Sequence, residues 1–429
     1  MSTQGRPERR LMGEVLMGHD ENARAATASP LSALAETVLA DLSLGSELST
    51  DGVASAGDGP VRHVLLTGAT GFLGAFLLRE LLDCTQADVW CLVRADDEER
   101  GRERIAETMK RYLVWDEALS PRIRPVIGDL AKPALGLSPE QWDRLAEQID
   151  LIHHNGAWVS HVAPYGRLRD ANVLGTLEIL RLACTTRIKP VHFVSTAGIP
   201  LGYTDPAAAV LDFDGEFPGY VVGKWVAERL VQQAAERGLP TRVYRPGRIS
   251  GHSVTGACQS SDMVWNFVRA VALLGLAPET AVSGDCVPEV SFSPVDYVAG
   301  AIVRMSLADK GKKADPEAVH FLVNQSRMPV HDLIGYLSLR FPLKVVPLQE
   351  WAGAVARGME AHGSAMAAPR LLLPFFRRFL AGEASPIRVD DQTTVDELAG
   401  TGISCPPINH RLLMTYLDFF EDIGFLPTA

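Results

Sequence analysis

Residues 61–82, VRHVLLTGATGFLGAFLLRELL, constrain the fold of this chain more than any other stretch. Val64, Leu65 and Leu66 form a short apolar run, of the kind carried by a strand buried on both faces. Gly68, Gly71 and Gly74 follow at GxxGxxG spacing, and Phe72, Phe76, Leu77, Leu78, Leu81 and Leu82 then mark an apolar stripe at helical period. Each glycine removes a side chain that would obstruct. The first permits a sharp turn out of the strand, the second lets a phosphate approach the backbone, and the third lets the helix pack close to the sheet. Free N–H groups at the helix start, helped by the helix dipole, would face a pyrophosphate. The expectation is a dinucleotide site.

From Val61 onward, strand-like and helix-like segments alternate, which implies a parallel sheet covered on both faces. Strands are expected at Asp88–Val93, Ile123–Ile127, Asp150–His153, Val191–Ser195 and Thr241–Tyr244. Helices are expected at 98–113, 138–148, 167–186 and 219–237. After residue 250 the alternation weakens. Helices are expected over 260–276 and 295–307, with short strands at Val287–Ser293, His320–Val323 and Leu343–Val346. The fold class is α/β: a Rossmann-type doubly wound parallel sheet with a smaller, mainly helical C-terminal substrate lobe. The expected divisions are 1–60, 61–325 with substrate-lobe insertions around 200–218 and 252–292, and 326–429. The last would lie over the carboxyl ends of the strands, where such sheets bind ligands.

Bulk properties narrow the function. A net charge of −11 and a pI near 5.5 argue against a nucleic-acid partner, and 47% apolar residues suffice for a large core. The six cysteines, at 84, 91, 184, 258, 286 and 405, form no CxxC pair, so a reducing compartment is the simple reading. No apolar run is long enough to span a bilayer, and the N-terminus lacks a secretory apolar core, so the expected location is the cytoplasm, without membrane contact. A monomer is the default. Residues 1–28 read as a mobile leader. The leucines at 31, 34, 39, 42 and 44 read as one amphipathic helix, and the Ser/Gly/Asp-rich 45–60 reads as a linker, the remnant of a junction to another domain.

The second strand runs CLV and ends in Arg94, 20 residues past Gly74. An NAD-type site carries an Asp or Glu at about this place to hold the ribose 2′-hydroxyl. A guanidinium there pairs with a 2′-phosphate instead, and Arg104 can add a second. NADPH is therefore the expected cofactor, with Asp96 and Asp97 as the nearby opposing charges. Of eight tyrosines, Tyr220 alone has a lysine four positions on, Lys224. At that spacing both side chains share one helix face. A nearby ammonium is expected to lower the phenol pKa so that the phenol donates a proton near neutral pH, and the lysine can hold the nicotinamide ribose. Ser195 and Thr196, at the end of the fifth strand, point to opposite faces, so one of them can hydrogen-bond a substrate oxygen.

TGATGFLG at 67–74, Asp129 in GDL, HNGA at 154–157, NVLGT at 172–176, FVSTAG at 193–198, YVVGK at 220–224 and YRPG at 244–247 together resemble an extended short-chain dehydrogenase/reductase. More closely, with LVR at 92–94, RERI at 102–105 and SFSPVDYVAGAIV at 291–303, the chain is similar to thioester reductase domains. These end nonribosomal peptide and polyketide synthases, carboxylic acid reductases and aminoadipate reductases. The resemblance covers about residues 61–429. It implies that Gly68, Thr70, Gly71, Phe72, Leu73 and Gly74 line the pyrophosphate and that Arg94 and Arg104 take the 2′-phosphate. Asp129 and Leu130 would flank the adenine, while Asn155, Gly156, Ala157 and Ser195 lie along the cofactor. Thr196 would be the catalytic hydroxyl, Tyr220 the proton donor, and Lys224 its partner and ribose ligand. Pro246 and Gly247 would pass near the carboxamide. No carrier-attachment motif of the Gly-Asp-Ser-Leu kind precedes residue 61, so the chain is expected to be an excised domain or a stand-alone reductase.

The implied reaction is reductive release, by NADPH, of an acyl or peptidyl chain held as a phosphopantetheine thioester on a carrier protein. The product is an aldehyde or, after a second hydride, a primary alcohol. Two alternatives share the scaffold: a sugar-nucleotide epimerase or dehydratase, and a non-catalytic NADP-binding scaffold. His153 and His154 are adjacent on a strand and point apart, so structural roles are expected rather than a shared metal. His161 and Tyr165 read as residues near the substrate entrance or as plain loop residues, and the tryptophans as core or lobe packing rather than a binding platform. Phe375, Phe376, Arg377 and Arg378 read as an ordinary amphipathic helix that could also dock an acidic carrier.

Overall fold

A computed structural model describes residues 33–46, 48–55, 59–160, 162–200, 218–281, 287–308, 319–382 and 388–428. Seven parallel strands form the central sheet: β1 (His63–Thr67), β2 (Asp88–Val93), β3 (Ile123–Ile127), β4 (Leu151–His154), β5 (Val191–Val194), β6 (Thr241–Pro246) and β7 (Val319–Leu322). Their spatial order is 3-2-1-4-5-6-7. The order reverses between β1 and β4, and the crevice at that switch point is where such sheets bind dinucleotides.

Alternation along the strands sorts residues to two cores. Leu65, Trp90, Leu92, Ile152, Val191, Phe193 and Val243 face one, while Val64, Leu66, Cys91, Leu151, Val194 and Tyr244 face the other. The first face is covered by α1 (Ala33–Asp41), α4 (Pro139–Gln148), α5 (Gly175–Cys184) and α6 (Gly219–Glu236). The second is covered by α2 (Phe72–Cys84), α3 (Glu98–Arg111), α7 (Met263–Leu274) and α8 (Val295–Ala308). Its core continues into the helices that follow, among them α9 (Val330–Ser338), α10 (Leu348–Arg357), α11 (Leu373–Leu380), α12 (Gln392–Leu398) and α13 (His410–Asp422). There Trp265 packs on Tyr416, whose hydroxyl donates to the Gly251 carbonyl at 2.9 Å. Among the described residues, no helix is long and apolar enough to cross a membrane.

Local signals account for the helix boundaries. Asp97 caps α3 by accepting from Arg100 N–H, and Ser138 and Gln141 close a reciprocal capping box on α4. Three sequence expectations need correction. The helix expected over 167–186 is broken: Tyr165–Arg169 runs into a π turn at Asp170–Leu174 before α5 begins, and the Gly175 N–H reaches back to the Asp170 carbonyl. The strand expected at Val287–Ser293 is two short pairings, Glu289–Val290 antiparallel to Met328–Pro329 and Ser293–Pro294 parallel to Ile249–Ser250. The described part of the linker is packed down. Leu44, expected in the preceding helix but lying past its end at Asp41, is buried with Leu48, Ala54–Ser55 pairs with Arg187–Ile188, and Arg237 donates to the carbonyls of Leu44, Gly45 and Leu48. The leader 1–28, His161 and most of 200–218 lie outside the described residues.

Candidate active site

The glycine turn has the shape of a phosphate cradle. Gly68 has φ 75°, and a Cβ there would lie 2.8 Å from the Gly156 Cα. A Cβ on Gly74 would run into the Gly68 carbonyl oxygen, so the third glycine clears the turn itself rather than the sheet. Gly71 is the N-cap of α2 and supplies no side-chain cap, which leaves first-turn N–H groups of Phe72 and Leu73 for an anion. Thr70 sits in the same turn. A turn opened by Gly68, Gly71 and Gly74 and an uncapped helix start fit a dinucleotide pyrophosphate.

The loops after β1, β3 and β4 meet here. Asn155 Nδ2 approaches the Gly68 carbonyl at 3.5 Å, and Gly156 N–H donates to Thr67 Oγ1 at 2.8 Å. The position a Gly156 Cβ would occupy is 2.6 Å from Leu130 Cδ1, so Leu130 closes over the strand end that carries Ala157. Asp129 accepts from Ala131 N–H at 3.0 Å and shapes the turn after β3. At the end of β2, Arg94 is exposed, and the half-buried Arg104 donates to its carbonyl, which brings the two guanidinium-bearing residues together. The Asp97 carboxylate is committed to capping α3.

A second group forms where β5, β6 and α6 converge. Ser195 N–H donates to the Tyr244 carbonyl at 2.7 Å and Ala197 N–H to the Pro246 carbonyl at 2.9 Å, so the Thr196 segment lies beside Pro246 and Gly247. Gly198 N–H donates to Thr196 Oγ1 at 3.1 Å, which fills one acceptor position and leaves the hydroxyl hydrogen to donate elsewhere. Ser195 continues the Phe193 face toward α6, and its buried hydroxyl donates to Glu228 at 2.5 Å. The hydrogen of that hydroxyl is thus committed within the protein, which leaves the Ser195 backbone and the oxygen lone pairs for other contacts.

The charge balance of Tyr220 and Lys224 also reverses an expectation. Lys224 is 3% exposed, donates to the Val194 carbonyl at 2.7 Å and sits 4.6 Å from the Phe193 ring centroid. Burial pulls its ammonium down to about 7, with Glu228 opposing the shift. Burial pushes the Tyr220 phenol up to about 12 instead of lowering it. Desolvation is the cause in both cases: it disfavours the charged form, which lowers an ammonium and raises a phenol. A phenol so placed stays protonated at neutral pH, as a donor must.

Several contacts of the site were not legible in the motifs that contain their residues, because the partners are distant in the chain. His154 Nδ1 meets Thr67 Oγ1 at 2.8 Å and its Nε2 meets Thr176 Oγ1 at 2.9 Å. Thr176 donates on to the Asn172 carbonyl at 2.7 Å. This buried run links the glycine turn to the π turn, where Asn172 lies against Gly223 of α6. His153, on the other face, meets Ser306 of α8 at 3.2 Å. Trp158 departs from the packing role expected of the tryptophans: it is 50% exposed, next to Val159 and Val162, also exposed. Tyr165 is no loop residue. It is buried and donates to Asp41 at 2.6 Å. On α11, Phe376 is buried while Phe375, Arg377 and Arg378 are exposed.

Comparison with known proteins agrees with this architecture. Residues 66–302 match the NAD-binding family described as male sterility protein. The chain is 42% identical over 379 residues to a linear gramicidin synthase polypeptide of Brevibacillus parabrevis, covering 84% of this chain and 7% of that protein. It is 37% identical over 409 residues to isonitrile lipopeptide synthase of Streptomyces coeruleorubidus, covering 92% of this chain and 27% of that protein. The chain thus spans a small part of the length of these relatives. The crystal structure of the terminal R domain from the myxalamid PKS-NRPS biosynthetic pathway superposes with a TM-score of 0.81 at 38% identity, covering 92% of this chain and 99% of that one. A parallel sheet with a glycine cradle at its switch point, matched over almost the whole of a solved reductase domain, places the chain in the family of NAD(P)-binding terminal reductase (R) domains of nonribosomal peptide and polyketide synthases.

Proposed function

We propose that the protein performs NADPH-dependent reductive release of an acyl or peptidyl thioester from the phosphopantetheine arm of a carrier protein. The observation that carries this reading is the convergence of the Tyr220–Lys224 helix with the β5 and β6 strand ends that bear Thr196 and Pro246. When bound, the dinucleotide supplies a hydride to the thioester carbonyl carbon. Thr196 and Tyr220 donate hydrogen bonds to the carbonyl oxygen as negative charge develops, and each such donor is worth about 2.7–4 kcal/mol of barrier. Lys224 holds the nicotinamide ribose and lies one helical turn from Tyr220. As the C–S bond breaks, a proton from solvent goes to the sulfur, so that thiol and aldehyde leave. In a second round, with a second NADPH, Tyr220 donates the proton that completes reduction of the aldehyde to a primary alcohol. Arg94 and Arg104 support NADPH over NADH. On this reading residues 61–325 bind the cofactor and 326–429 form the lobe that takes the chain and its carrier.

The test is incubation of purified protein with NADPH and an acyl-pantetheine thioester, with products identified by mass spectrometry. NADPH consumption matched by aldehyde or alcohol is expected. Tyr220→Phe and Thr196→Val should each lower kcat by about 10²–10³-fold. Turnover of a nucleotide sugar without net NADPH use, or binding without turnover, would overturn the proposal.

A further inference from the structure

One buried ionic cluster ties together the three elements of the reaction centre. Glu228, on α6, is 2% exposed. Its Oε2 accepts from the Ser195 hydroxyl at 2.5 Å, and its carboxylate is gripped by Arg245, with Nη2 to Oε1 at 2.5 Å and Nε to Oε2 at 3.1 Å. The Arg245 guanidinium in turn lies 5.6 Å from the Phe321 ring on β7. Every member neighbours a residue of the proposed site. Ser195 precedes Thr196, Arg245 precedes Pro246, and Glu228 lies one helical turn beyond Lys224.

We infer that Ser195, Glu228 and Arg245 are positioning residues. Glu228 holds the Ser195 hydroxyl off the reaction centre so that Thr196 alone addresses the substrate oxygen, locks α6 against β5 and β6, and supplies the negative charge that Lys224 faces. The inference rests on Lys224 as the ribose ligand. Buried ion pairs are a poor source of net stability, since desolvation offsets the attraction, whereas their directional bonds favour one arrangement of the parts they join. Around Lys224, α6 contributes Tyr220 and Glu228, β5 the Phe193 ring and the Val194 carbonyl, β4 His154, and β6 Arg245 by way of Glu228. His154 is buried and neutral at working pH, so Glu228 is the anion in this set.

The experiment titrates Lys224 directly by NMR in protein labelled with ¹⁵N-lysine, its signal assigned by Lys224→Met, and measures NADPH affinity by fluorescence across pH. In Glu228→Gln the Lys224 midpoint should fall by about one pH unit, the scale of a lost neighbouring charge. The pH above which NADPH affinity declines should fall with it. Ser195→Ala should leave that midpoint in place while lowering kcat, with the NADPH affinity unchanged. A folded Glu228→Gln protein with an unmoved Lys224 midpoint overturns the inference. Should that variant fail to fold, Glu228→Gln combined with Arg245→Met removes both charges of the pair, and a smaller fall in the Lys224 midpoint is expected there, because the loss of the more distant guanidinium partly offsets the loss of the carboxylate. Neither titration nor NADPH binding requires a thioester, so these readouts stand or fall separately from the choice of substrate.

Discussion

Asn172 grips the backbone of Trp158 from both sides: its amide oxygen accepts the Trp158 N–H at 2.7 Å and its amide nitrogen donates to the Trp158 carbonyl at 3.0 Å. Asn172 is 2% exposed and lies in the π turn against α6, so the clamp joins the exposed Trp158 loop to the helix of Tyr220 and Lys224. Asn172→Ala removes both bonds and leaves two backbone groups without their partner. The expected cost is about 1–3 kcal/mol of stability, read as a lower denaturant midpoint. The thioester KM should rise, because the loop that borders the site is no longer held. An unchanged KM would show that the Trp158 loop does not touch substrate.

Arg94 and Arg104 should discriminate between dinucleotides. Each charge-assisted bond to a 2′-phosphate contributes about 1.5–3 kcal/mol. Arg94→Ala is expected to raise the KM for NADPH at least tenfold and to leave that for NADH nearly unchanged. Steady-state kinetics with both cofactors check this. Arg104→Ala should do the same and also free the Arg94 carbonyl it now caps.

The buried histidines predict an acid-sensitive fold. Burial holds His153 and His154 down at about 3, and His192 well below its usual value. Unfolded histidine titrates at about 6.5. Below that pH the unfolded chain takes up protons that the native chain refuses, so stability is full above about 6.5 and is lost progressively as pH falls toward 3. Calorimetry at pH 7.0 and 5.5 should show a lower Tm at the acid pH, with a smaller difference in His192→Asn.

The segment before β1 should matter to α6. Asp41, nearly buried, accepts from the Tyr165 hydroxyl and from Nε and Nη2 of Arg169, all at 2.6 Å. The Tyr165 backbone lies against Gly219, the first residue of α6. Asp41→Ala leaves the buried Tyr165 phenol without its acceptor and the half-buried Arg169 with only the Asp170 carboxylate at 3.8 Å, and the expected loss is about 1–3 kcal/mol. A deletion of residues 1–55 should show at least that loss and a lower kcat, measured by chemical denaturation and turnover.

Much of this protein is legible in its residues because the signals are local. The run from Val64 to Leu82 declares strand, turn and helix within one short window, and Asp88–Val93 and Ile123–Ile127 coincide with β2 and β3 to the residue. Tyr220 and Lys224 share a helix face by spacing alone, and Arg94 stands at a strand end that β2 defines. What periodicity cannot express is which distant side chain fills a given space. The π turn at Asp170–Leu174 differs from a plain helix by one residue in its hydrogen bonding, and only its packing selects it. The commitment of Ser195 to Glu228, the burial that moves Tyr220 and Lys224 in opposite directions, and the exposure of Trp158 all arise from contacts between elements far apart in the chain. Desolvation is a property of the assembled interior. The amino-acid order by itself determined the strand–turn–helix frame and the pairing of Tyr220 with Lys224 on one helix face, and the tertiary structure alone decided their ionisation and committed the Ser195 hydroxyl to Glu228.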